Sequence, residues 1–552
     1  MSSSQSANAA AAEATASANM DRHLAAVKDI AASVRSFYDR KEPYRISHGS
    51  TNSTRPKGTM RAVDISALGC VLSVDTVKKT VLVEPNVAMD GLVEATLPHG
   101  LVPPIVMEFP GITAGGGFAG TGGESSSFRH GFFDETVASV EMVLADGEIV
   151  TASRDERPDL FRAAPGAVGT LGIVTMLEIN LIAAKKYVHT RYHRTNSVAE
   201  AIKLVQRETT RSENDYVDGI LFSKDHGVVV TGKLTDEKPK SVKPQTFSGA
   251  WDPWFYLHVE ERTSTSKDGA SKPEEDYVPL AEYLFRYDRG AFWVGRFLCM
   301  YWLMPFNSFS RWLLDDLLHT RMMYRGRDTG PENTFTIQDI AMPFETAEIF
   351  VNYLDDNHPI WPLWLCPMKR RGPPTFHPFI SPPDSATTMS SISGDNRNGP
   401  TEAEAAEDED GMMLNVGVWG HEGTLYPPAF VEKNRAIEDK VRELGGMKWL
   451  YAHVYQPEDE FWAAYGGREW YDALRAKYKA SMLPSVYEKV HVKWEDVAAA
   501  IAAKQQTQSR FAWLKGYWPI GGFWSACVSY ASKDHVLHRT ATWKWKGDED
   551  TK

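Results

Sequence analysis

The sequence has few cysteines, no surplus of basic residues and no long unbroken apolar run. Its four cysteines, Cys70, Cys299, Cys366 and Cys527, lie far apart without a CxxC pair. This spacing excludes a disulfide framework and a cysteine zinc site, and it favours a reducing compartment. A net charge of −12 and a pI near 5.8 argue against a general nucleic-acid-binding surface.

The sequence also lacks a secretory signal and a candidate membrane-spanning helix. Its first twenty residues are rich in alanine and serine, without a charged start or an apolar core, and we interpret residues 1–20 as a disordered tail. No apolar run reaches about eighteen residues, the length that a spanning helix needs. The nearest candidates, 291–306 and 514–530, are interrupted by Arg296 and by three glycines and a proline, respectively.

Glycine, by contrast, is concentrated in one segment. Residues 110–127 read PGITAGGGFAGTGGESSS and hold seven of the 41 glycines. Such a cluster costs conformational entropy, so it marks either a flexible linker or a backbone that bends sharply and approaches a ligand closely. Interleaved Ile112, Phe118 and Ala119 favour the second interpretation. We therefore predict a cradle of backbone N–H groups for an anion, namely a phosphate.

Hydrophobic periodicity predicts an α+β domain over residues 21–184. Its expected elements are helices at 21–40, 87–99 and 157–164, a short strand at 44–47, hairpins at 70–85 and 136–153, and a strand within 166–182. Residues 185–490 are interpreted as a second, α/β substrate domain. Its expected elements are helices at 198–208 and 428–444 and strands at 215–222, 227–234, 360–367, 412–420 and 448–455. We interpret the acidic, low-complexity segment 381–410 as a disordered loop and residues 491–552 as a C-terminal extension.

Three loops of the first domain are rich in small residues: 47–54, 111–127 and 166–172. Residues 115–120 satisfy GxGxxG, but prolines before them and glycines and serines after them do not fit the strand–turn–helix of a dinucleotide fold. The nucleoside-triphosphate motif GxxxxGK[ST] does not occur in the sequence. We predict that the three loops face one another around a pyrophosphate that carries a large flat ring system.

These segments resemble the FAD-binding domain of the vanillyl-alcohol-oxidase (p-cresol methylhydroxylase) flavoproteins. More closely, the sequence resembles the delta(24)-sterol reductases over roughly residues 40–485. The similarity rests on the strings at 110–133, 143–150, 165–188, 251–260, 276–293, 338–343, 360–367 and 449–462.

This resemblance implies a two-domain FAD-binding fold of the p-cresol methylhydroxylase type. The first domain is expected to bind the ADP and ribityl parts of FAD, and the second to cap the isoalloxazine and shape the substrate pocket. The implied reaction reduces a carbon–carbon double bond in the side chain of a sterol or a related terpenoid, with NADPH as the electron source. Reduced flavin delivers hydride from N5 to one alkene carbon, and an acid protonates the other. Peripheral contact with the cytoplasmic face of the endoplasmic reticulum membrane is the matching hypothesis for location.

The cofactor-binding residues that the resemblance implies fall in the three loops. They are His48, Gly49, Ser50, Thr51, Asn52, Ser53, Thr113, Ala114, Gly115, Gly116, Gly117, Phe118, Ala119, Gly120, Thr121, Gly122, Gly123, Glu124, Ser125, Gly169, Thr170, Gly172 and Ile173. Some relatives attach FAD covalently through a histidine in an RGGGHS-like pattern. Here the order is HGSTN, so we predict non-covalent FAD with His48 as a hydrogen-bonding residue.

The candidate proton donors lie in WLYAHVY at 449–455. On a strand, Tyr451 and His453 point to opposite faces. We favour Tyr451, because an apolar pocket can hold a hydroxyl near an alkene; a buried structural tyrosine is the alternative. His421 and Arg286 are weaker candidates, and no metal is expected.

Two other functions stay open at this stage. One is an FAD-dependent alcohol oxidase or dehydrogenase of the same superfamily. The other is a non-catalytic sterol-binding protein on a flavin fold, against which the intact glycines of the loops argue.

Overall fold

A computed structural model describes residues 2–49, 60–264, 273–326, 335–380, 411–421, 427–492 and 520–547. The side chains of residues 2–13, 427 and 521 are not part of this description. Two predicted features, the loop residues Ser50–Ser53 and the acidic segment 381–410, lie outside the described residues.

The N-terminal domain is built on an antiparallel five-stranded sheet. The strands of the domain are β1 (Arg45–Ser47), β2 (Ala62–Asp64), β3 (Val71–Asp75), β4 (Thr80–Val83), β5 (Leu101–Val102), β6 (Val137–Leu144), β7 (Ile149–Ser153), β8 (Gly172–Asn180) and β9 (Ile182–Ala183). Its helices are α1 (Ser2–Asp39), α2 (Met89–Thr96), α3 (Ala114–Ala119), α4 (Ser127–His130) and α5 (Pro158–Ala163). The sheet order is β3-β4-β8-β6-β7, and β1 pairs with β2 in parallel.

Most elements predicted for this domain are confirmed. Both hairpins form, the second around Gly147 at φ +86°, and Gly100 ends the helical segment after α2 at φ +69°. The antiparallel sheet also confirms that the glycine motif is not part of a βαβ dinucleotide fold. Helix α1 begins at Ser2 and so includes residues that were expected to form the disordered tail. Its alanines have the highest helix propensity of all residues, which explains the extension.

The second domain contains an eight-stranded antiparallel sheet. Its strands are β10 (Tyr187–Thr195), β11 (Tyr216–Ser223), β12 (His226–Thr235), β13 (Glu274–Pro279), β14 (Phe335–Met342), β15 (Leu363–Lys369), β16 (Met412–His421) and β17 (Met447–Lys448). Its helices are α6 (Val198–Thr209), α7 (Phe255–Ser264), α8 (Leu280–Leu284), α9 (Val294–Tyr301), α10 (Ser308–Leu313), α11 (Thr320–Gly326), α12 (Phe344–Asn357), α13 (Pro427–Glu443), α14 (Glu458–Ala464), α15 (Glu469–Lys477), α16 (Val486–Val490), α17 (Ile520–Ala531) and α18 (His535–Thr540). The sheet order is β13-β10-β12-β11-β15-β16-β14-β17.

Two predictions for this domain need correction. The sheet is antiparallel throughout, so the domain is α+β rather than α/β. The strand expected over 448–455 is reduced to β17, after which the backbone turns. Pairing with β14 ends at Trp449, whose N–H donates to the carbonyl of Asp339 (3.0 Å), and Val454 then pairs with His491 instead of continuing along β14.

The eight-stranded sheet has two faces with different neighbours. One face, here called the helix face, packs its apolar side chains against α6, α12 and α13 in a separate core cluster. The opposite face, here called the inner face, shares the largest core cluster with the N-terminal domain. Met368 of β15 belongs to this inner cluster and lies against Gly123, so the inner face is the wall that meets the glycine segment.

The C-terminal extension folds back onto the second domain. The hydroxyl of Ser529 in α17 donates to the carbonyl of Met322 in α11, and the N–H of Trp545 donates to Glu282 (3.1 Å). Trp543 packs on Phe285, with ring centroids 4.9 Å apart. Among the described residues, no helix is long and apolar enough to cross a membrane.

Candidate flavin site

The glycine segment forms a tight turn on the short helix α3. Thr113 caps this helix by accepting the N–H of Gly116 (3.0 Å). Gly115 donates to the carbonyl of Pro85 (2.8 Å), and a Cβ at Gly115 would lie 2.6 Å from the Pro85 Cβ. Only glycine permits this approach. Gly116 is exposed and Gly120 is half-buried, so one edge of the segment is accessible to a ligand.

The N–H groups of this segment are used differently from the prediction. Those of Gly117, Gly120 and Gly122 donate to carbonyls within the segment, each at 2.8 Å. The segment is therefore a compact, self-bonded turn with an accessible edge, rather than an open row of free amides. Thr121, at φ +49°, receives the indole N–H of Trp449 on its carbonyl (3.0 Å), which joins the turn to the second domain.

The other two loops approach each other beside β1. Gly169, at φ +75°, lies so near Ile46 of β1 that an added Cβ would be 2.5 Å from the Ile46 Cδ1. His48 and Gly49 follow at the end of β1, and Gly49 lies beside Ser66 after β2. The amide of Asn86 donates to the carbonyl of Ile65 (2.6 Å), which ties this region to the turn that also bonds Gly115.

The 166–172 loop is fixed mainly by protein contacts. Thr170 accepts the hydroxyl of Tyr471 (2.7 Å), and the Val168 carbonyl accepts Lys489 (2.9 Å). The side chain of Ile173 is fully buried in the core beneath α1. Thr170 and Ile173 therefore contact other parts of the protein and stabilise the fold. The backbone around Gly169 is the part of this loop that lies nearest the first loop.

A row of polar residues crosses the inner face opposite the glycine segment. It consists of Asp218 on β11, Cys366 on β15, Asn415 on β16 and Asp339 on β14, here called the polar row. All four are buried. The strands pair so that Cys366 lies opposite Asn415, whose amide donates to Asp339 (2.9 Å).

One end of the polar row joins the glycine segment through a buried charge network. Arg286 donates to Asp218 (2.9 Å) and to the hydroxyl of Ser125 (3.2 Å). Ser125 in turn donates to Glu124 (2.8 Å). Burial raises the pKa of Glu124 to about 7, although hydrogen bonds from Ser126 and Ser125 act in the opposite direction.

Glu108 completes this network and is not predicted from the sequence. Burial, and then the neighbouring Glu124, raise the pKa of Glu108 well above its usual value. Two carboxyls that repel each other in a buried site favour a shared proton. Among the described residues, Glu108 Oε1, Asp218 Oδ1 and the Tyr283 hydroxyl are buried without a hydrogen-bond partner. Buried polar atoms normally have partners, so this cluster has capacity for a polar ligand.

The other end of the polar row carries Tyr451. Its hydroxyl donates to Asp339, and burial raises the pKa of Asp339 to about 6. Burial, and then Asp339, raise the pKa of Tyr451 well above its usual value. The tyrosine therefore keeps its proton at neutral pH and donates it in a hydrogen bond to a carboxyl whose pKa is unusually high.

The remaining proton-donor candidates lie elsewhere. The ring of His453 lies 6.4 Å from that of Tyr455, whose N–H donates to Glu438 of α13 (3.0 Å), on the side of the helix face. His421 is exposed at the end of β16. Arg286 is fully buried in the charge network rather than at the Tyr451 end.

Sequence reasoning missed Asp218 and Asp339 as site residues. Both occur in otherwise apolar strands, DYVDGILFS and QDIAMP. The sequence did contain a signal for both. Each carboxylate occupies a strand position that the alternating pattern predicts to be buried, and carboxylates are rarely buried unless they are paired or take part in function.

Comparison with known proteins agrees with this arrangement. A family model described as an FAD binding domain matches residues 23–153. The human delta(24)-sterol reductase is 30% identical over 426 residues, which cover 76% of both proteins. The Arabidopsis thaliana delta(24)-sterol reductase is 28% identical over 473 residues, covering 80% of this protein and 79% of that one. A rice cytokinin dehydrogenase 7 is 33% identical over 132 residues only, 23% of this protein.

The accessible glycine edge, the converging loops and the orphaned polar atoms fit a bound flavin, and the matched domain covers the first two glycine-bearing loops. The protein is therefore an FAD-dependent oxidoreductase that belongs to the delta(24)-sterol reductase family.

Proposed function

We propose that this enzyme reduces a carbon–carbon double bond in the side chain of a sterol, with FAD as cofactor and NADPH as electron donor. The substrate class follows the names of its relatives. The observation that carries the proposal is the Tyr451–Asp339 pair, a half-buried hydroxyl held against a buried carboxyl on the wall opposite the glycine segment.

FAD is held non-covalently between the two domains. The accessible edge near Gly116 and Gly120 would hold the diphosphate, and His48 and Gly49 would form the facing loop. The buried polar atoms of Glu108 and Asp218 offer hydrogen bonds to the polar part of the ring system. Bound FAD, once reduced, supplies the hydride that the alkene accepts.

Tyr451 supplies the proton that completes the reduction. Its raised pKa keeps the hydroxyl protonated, and its hydrogen bond to Asp339 fixes the direction in which the oxygen points. Asp339 is a positioning residue, since it is itself oriented by Asn415. Asp339 and Asn415 are buried, which strengthens these polar contacts.

The sterol reaches the enzyme from lipid through an exposed apolar patch. This patch comprises Met300, Leu303 and Phe309 near α9 and α10, and Phe523 of α17; each of these residues is at least 58% exposed. The two parts adjoin, because a Cβ at Gly522 would lie 2.8 Å from the ring of Tyr301. Exposed apolar patches that adjoin one another mark interaction sites, and peripheral contact with a membrane suits a sterol substrate.

An anaerobic spectral titration tests the proposed reaction. Purified holoenzyme is expected to show flavin absorbance that NADPH bleaches and that a sterol with an unsaturated side chain restores. Bleaching by an alcohol substrate without NADPH would instead identify an alcohol oxidase or dehydrogenase. Purified, folded protein without flavin would leave only a sterol-binding role.

Vesicle sedimentation tests the membrane contact separately. The double variant Leu303→Ser, Phe523→Ser is expected to bind neutral phospholipid vesicles roughly tenfold more weakly, since both residues lose apolar burial. Val77→Ser is the matched control, because Val77 is 91% exposed but lies on the N-terminal domain. Equal binding by all three proteins would refute the patch as the membrane contact.

A further inference from the structure

A second polar cluster lies away from the flavin site, where the C-terminal extension meets the second domain. Asp315, His319 and His538 each place one potential ligand atom within 4.8 Å of the other two. The rings of His319 and His538 stack with centroids 3.8 Å apart. Both histidines are buried, and Asp315 is half-buried.

Each imidazole is held by a carboxylate through one nitrogen and leaves the other nitrogen unpaired. His319 Nδ1 contacts Asp288 (2.5 Å), and His538 Nε2 contacts Asp316 (3.0 Å). Among the described residues, the buried His319 Nε2 and His538 Nδ1 have no hydrogen-bond partner. This pattern, in which a carboxylate orients a histidine whose second nitrogen is available, is the usual support for metal ligands.

Asp315 presents a suitable third ligand. Its Oδ1 accepts Arg289 Nε (2.8 Å), while its Oδ2 lies 3.6 Å from His319 Nε2, too far for a hydrogen bond. Two ligands of a tetrahedral zinc ion, each about 2.0 Å from the metal, lie about 3.3 Å apart. The observed separation therefore needs little adjustment to accommodate an ion.

We propose that Asp315, His319 and His538 bind a divalent transition-metal ion with the ligand preference of Zn²⁺. Two imidazoles and one carboxylate match that preference, and three protein ligands leave a further coordination position. Asp315 and His538 also line a cavity of about 700 Å³, from which water can fill that position. The ion would clamp α18 to the segment before α11 and so secure the extension that carries part of the apolar patch.

Calorimetry with Zn²⁺ tests the site in the full-length holoenzyme after dialysis against a chelator. One equivalent is expected to bind and to raise the melting temperature, because the ion binds only the folded protein. His538→Ala is expected to abolish both effects. Asp316→Asn, which loosens one histidine, is expected to weaken binding about 10–100-fold.

His535→Ala is the matched control. His535 also lies in α18, is buried and stacks on a ring, that of Tyr530, but it is not part of the cluster. Retained flavin absorbance shows that each variant is folded. Binding by the wild type and His535→Ala, but not by His538→Ala, supports the site. No stoichiometric binding of Zn²⁺, or of Fe²⁺ under anaerobic conditions, by the wild type would overturn it, as would equal losses in both histidine variants.

Discussion

The two faces of the eight-stranded sheet use neighbouring residues of the same strands for opposite purposes. On β11, Val217 is fully buried on the helix face, and the next residue, Asp218, is fully buried on the inner face. On β14, Ile340 and Asp339 repeat this contrast. The helix face is an ordinary apolar core, whereas the inner face keeps carboxylates in a place where apolar side chains would fit.

This contrast indicates that the inner face is shaped by function. Burying a charged group without compensation is costly, whereas apolar burial is favourable. Asp218 is compensated by Arg286, Tyr287 and Trp364, all of which donate to the same carboxylate oxygen. A compensated buried ion pair of this kind stabilises the fold no more than apolar packing on the helix face would. We therefore attribute the polar residues of the inner face to binding or catalysis at the boundary with the flavin domain.

The largest expected effect comes from removing the proposed acid on the inner face. Tyr451→Phe should lower the rate of sterol reduction by about 10²–10⁴-fold, the usual range for a positioned proton donor. Reduction of the flavin by NADPH should stay at the wild-type rate, because the hydroxyl is not needed for that step. Stopped-flow measurement of the two half-reactions separates these outcomes.

Tyr455→Phe is the control for this variant, because Tyr455 lies towards α13 on the other side of the sheet. Wild-type sterol reduction by Tyr451→Phe would show that the tyrosine is structural. In that case the distinction between the two faces would rest on the charge network alone.

Breaking the charge network should destabilise the protein in a way that a helix-face cavity does not. Arg286→Met leaves Asp218 and the Glu108–Glu124 pair without their cation and should cost about 3–5 kcal/mol. Leu365→Ala on the helix face should cost about 2–5 kcal/mol by cavity formation. The two differ in pH dependence: only the Arg286→Met loss should grow at alkaline pH, where the carboxyls ionise. Urea unfolding at mildly acidic and alkaline pH tells them apart, and identical pH profiles would count against the network.

Asp339 should give the inner face a pH-dependent stability of its own. Its pKa is about 6 in the folded protein, above the ordinary value of 3.8. The folded state therefore binds the proton more tightly, and stability is highest below the ordinary pKa and falls as the pH rises to about 6. The loss is on the order of 3 kcal/mol. Asp339→Asn should remove this slope in unfolding experiments; an unchanged slope would assign the titration to another group.

Much of the framework could be predicted from local sequence patterns. The hairpin around Gly147 and the helix stop at Gly100 need left-handed backbone, which glycine adopts freely. The short, valine-rich run of β12 is similarly recognisable as a buried strand. The glycine segment indicates the ligand site, because so many glycines cost conformational entropy on folding and a close approach of the backbone to a ligand accounts for that cost.

The rest depends on contacts between residues distant in the sequence. The polar row is assembled from four strands whose order, β11-β15-β16-β14, cannot be read from local patterns. The preference for Tyr451 assumes a strand that does not form, and no local pattern predicts that Tyr451 pairs with Asp339. The Asp315–His319–His538 cluster joins the C-terminal extension to the second domain, a pairing for which sequence spacing gives no signal.

The smallest expected effect concerns the accessible edge of the glycine segment. Gly116 is exposed, has no positive φ, and an added Cβ would meet only Thr113 Oγ1 at 3.0 Å and Ile112 at 4.0 Å. The fold should therefore accept Gly116→Ala, whereas FAD, lying along this edge, should bind about tenfold more weakly, or about 1.4 kcal/mol. Fluorescence titration of the apoprotein with FAD measures the change. Gly69→Ala, where a Cβ meets nothing within 4 Å, should bind like the wild type. If Gly116→Ala kept full affinity, the diphosphate would have to lie elsewhere, and the proposed placement of FAD along this edge would be wrong.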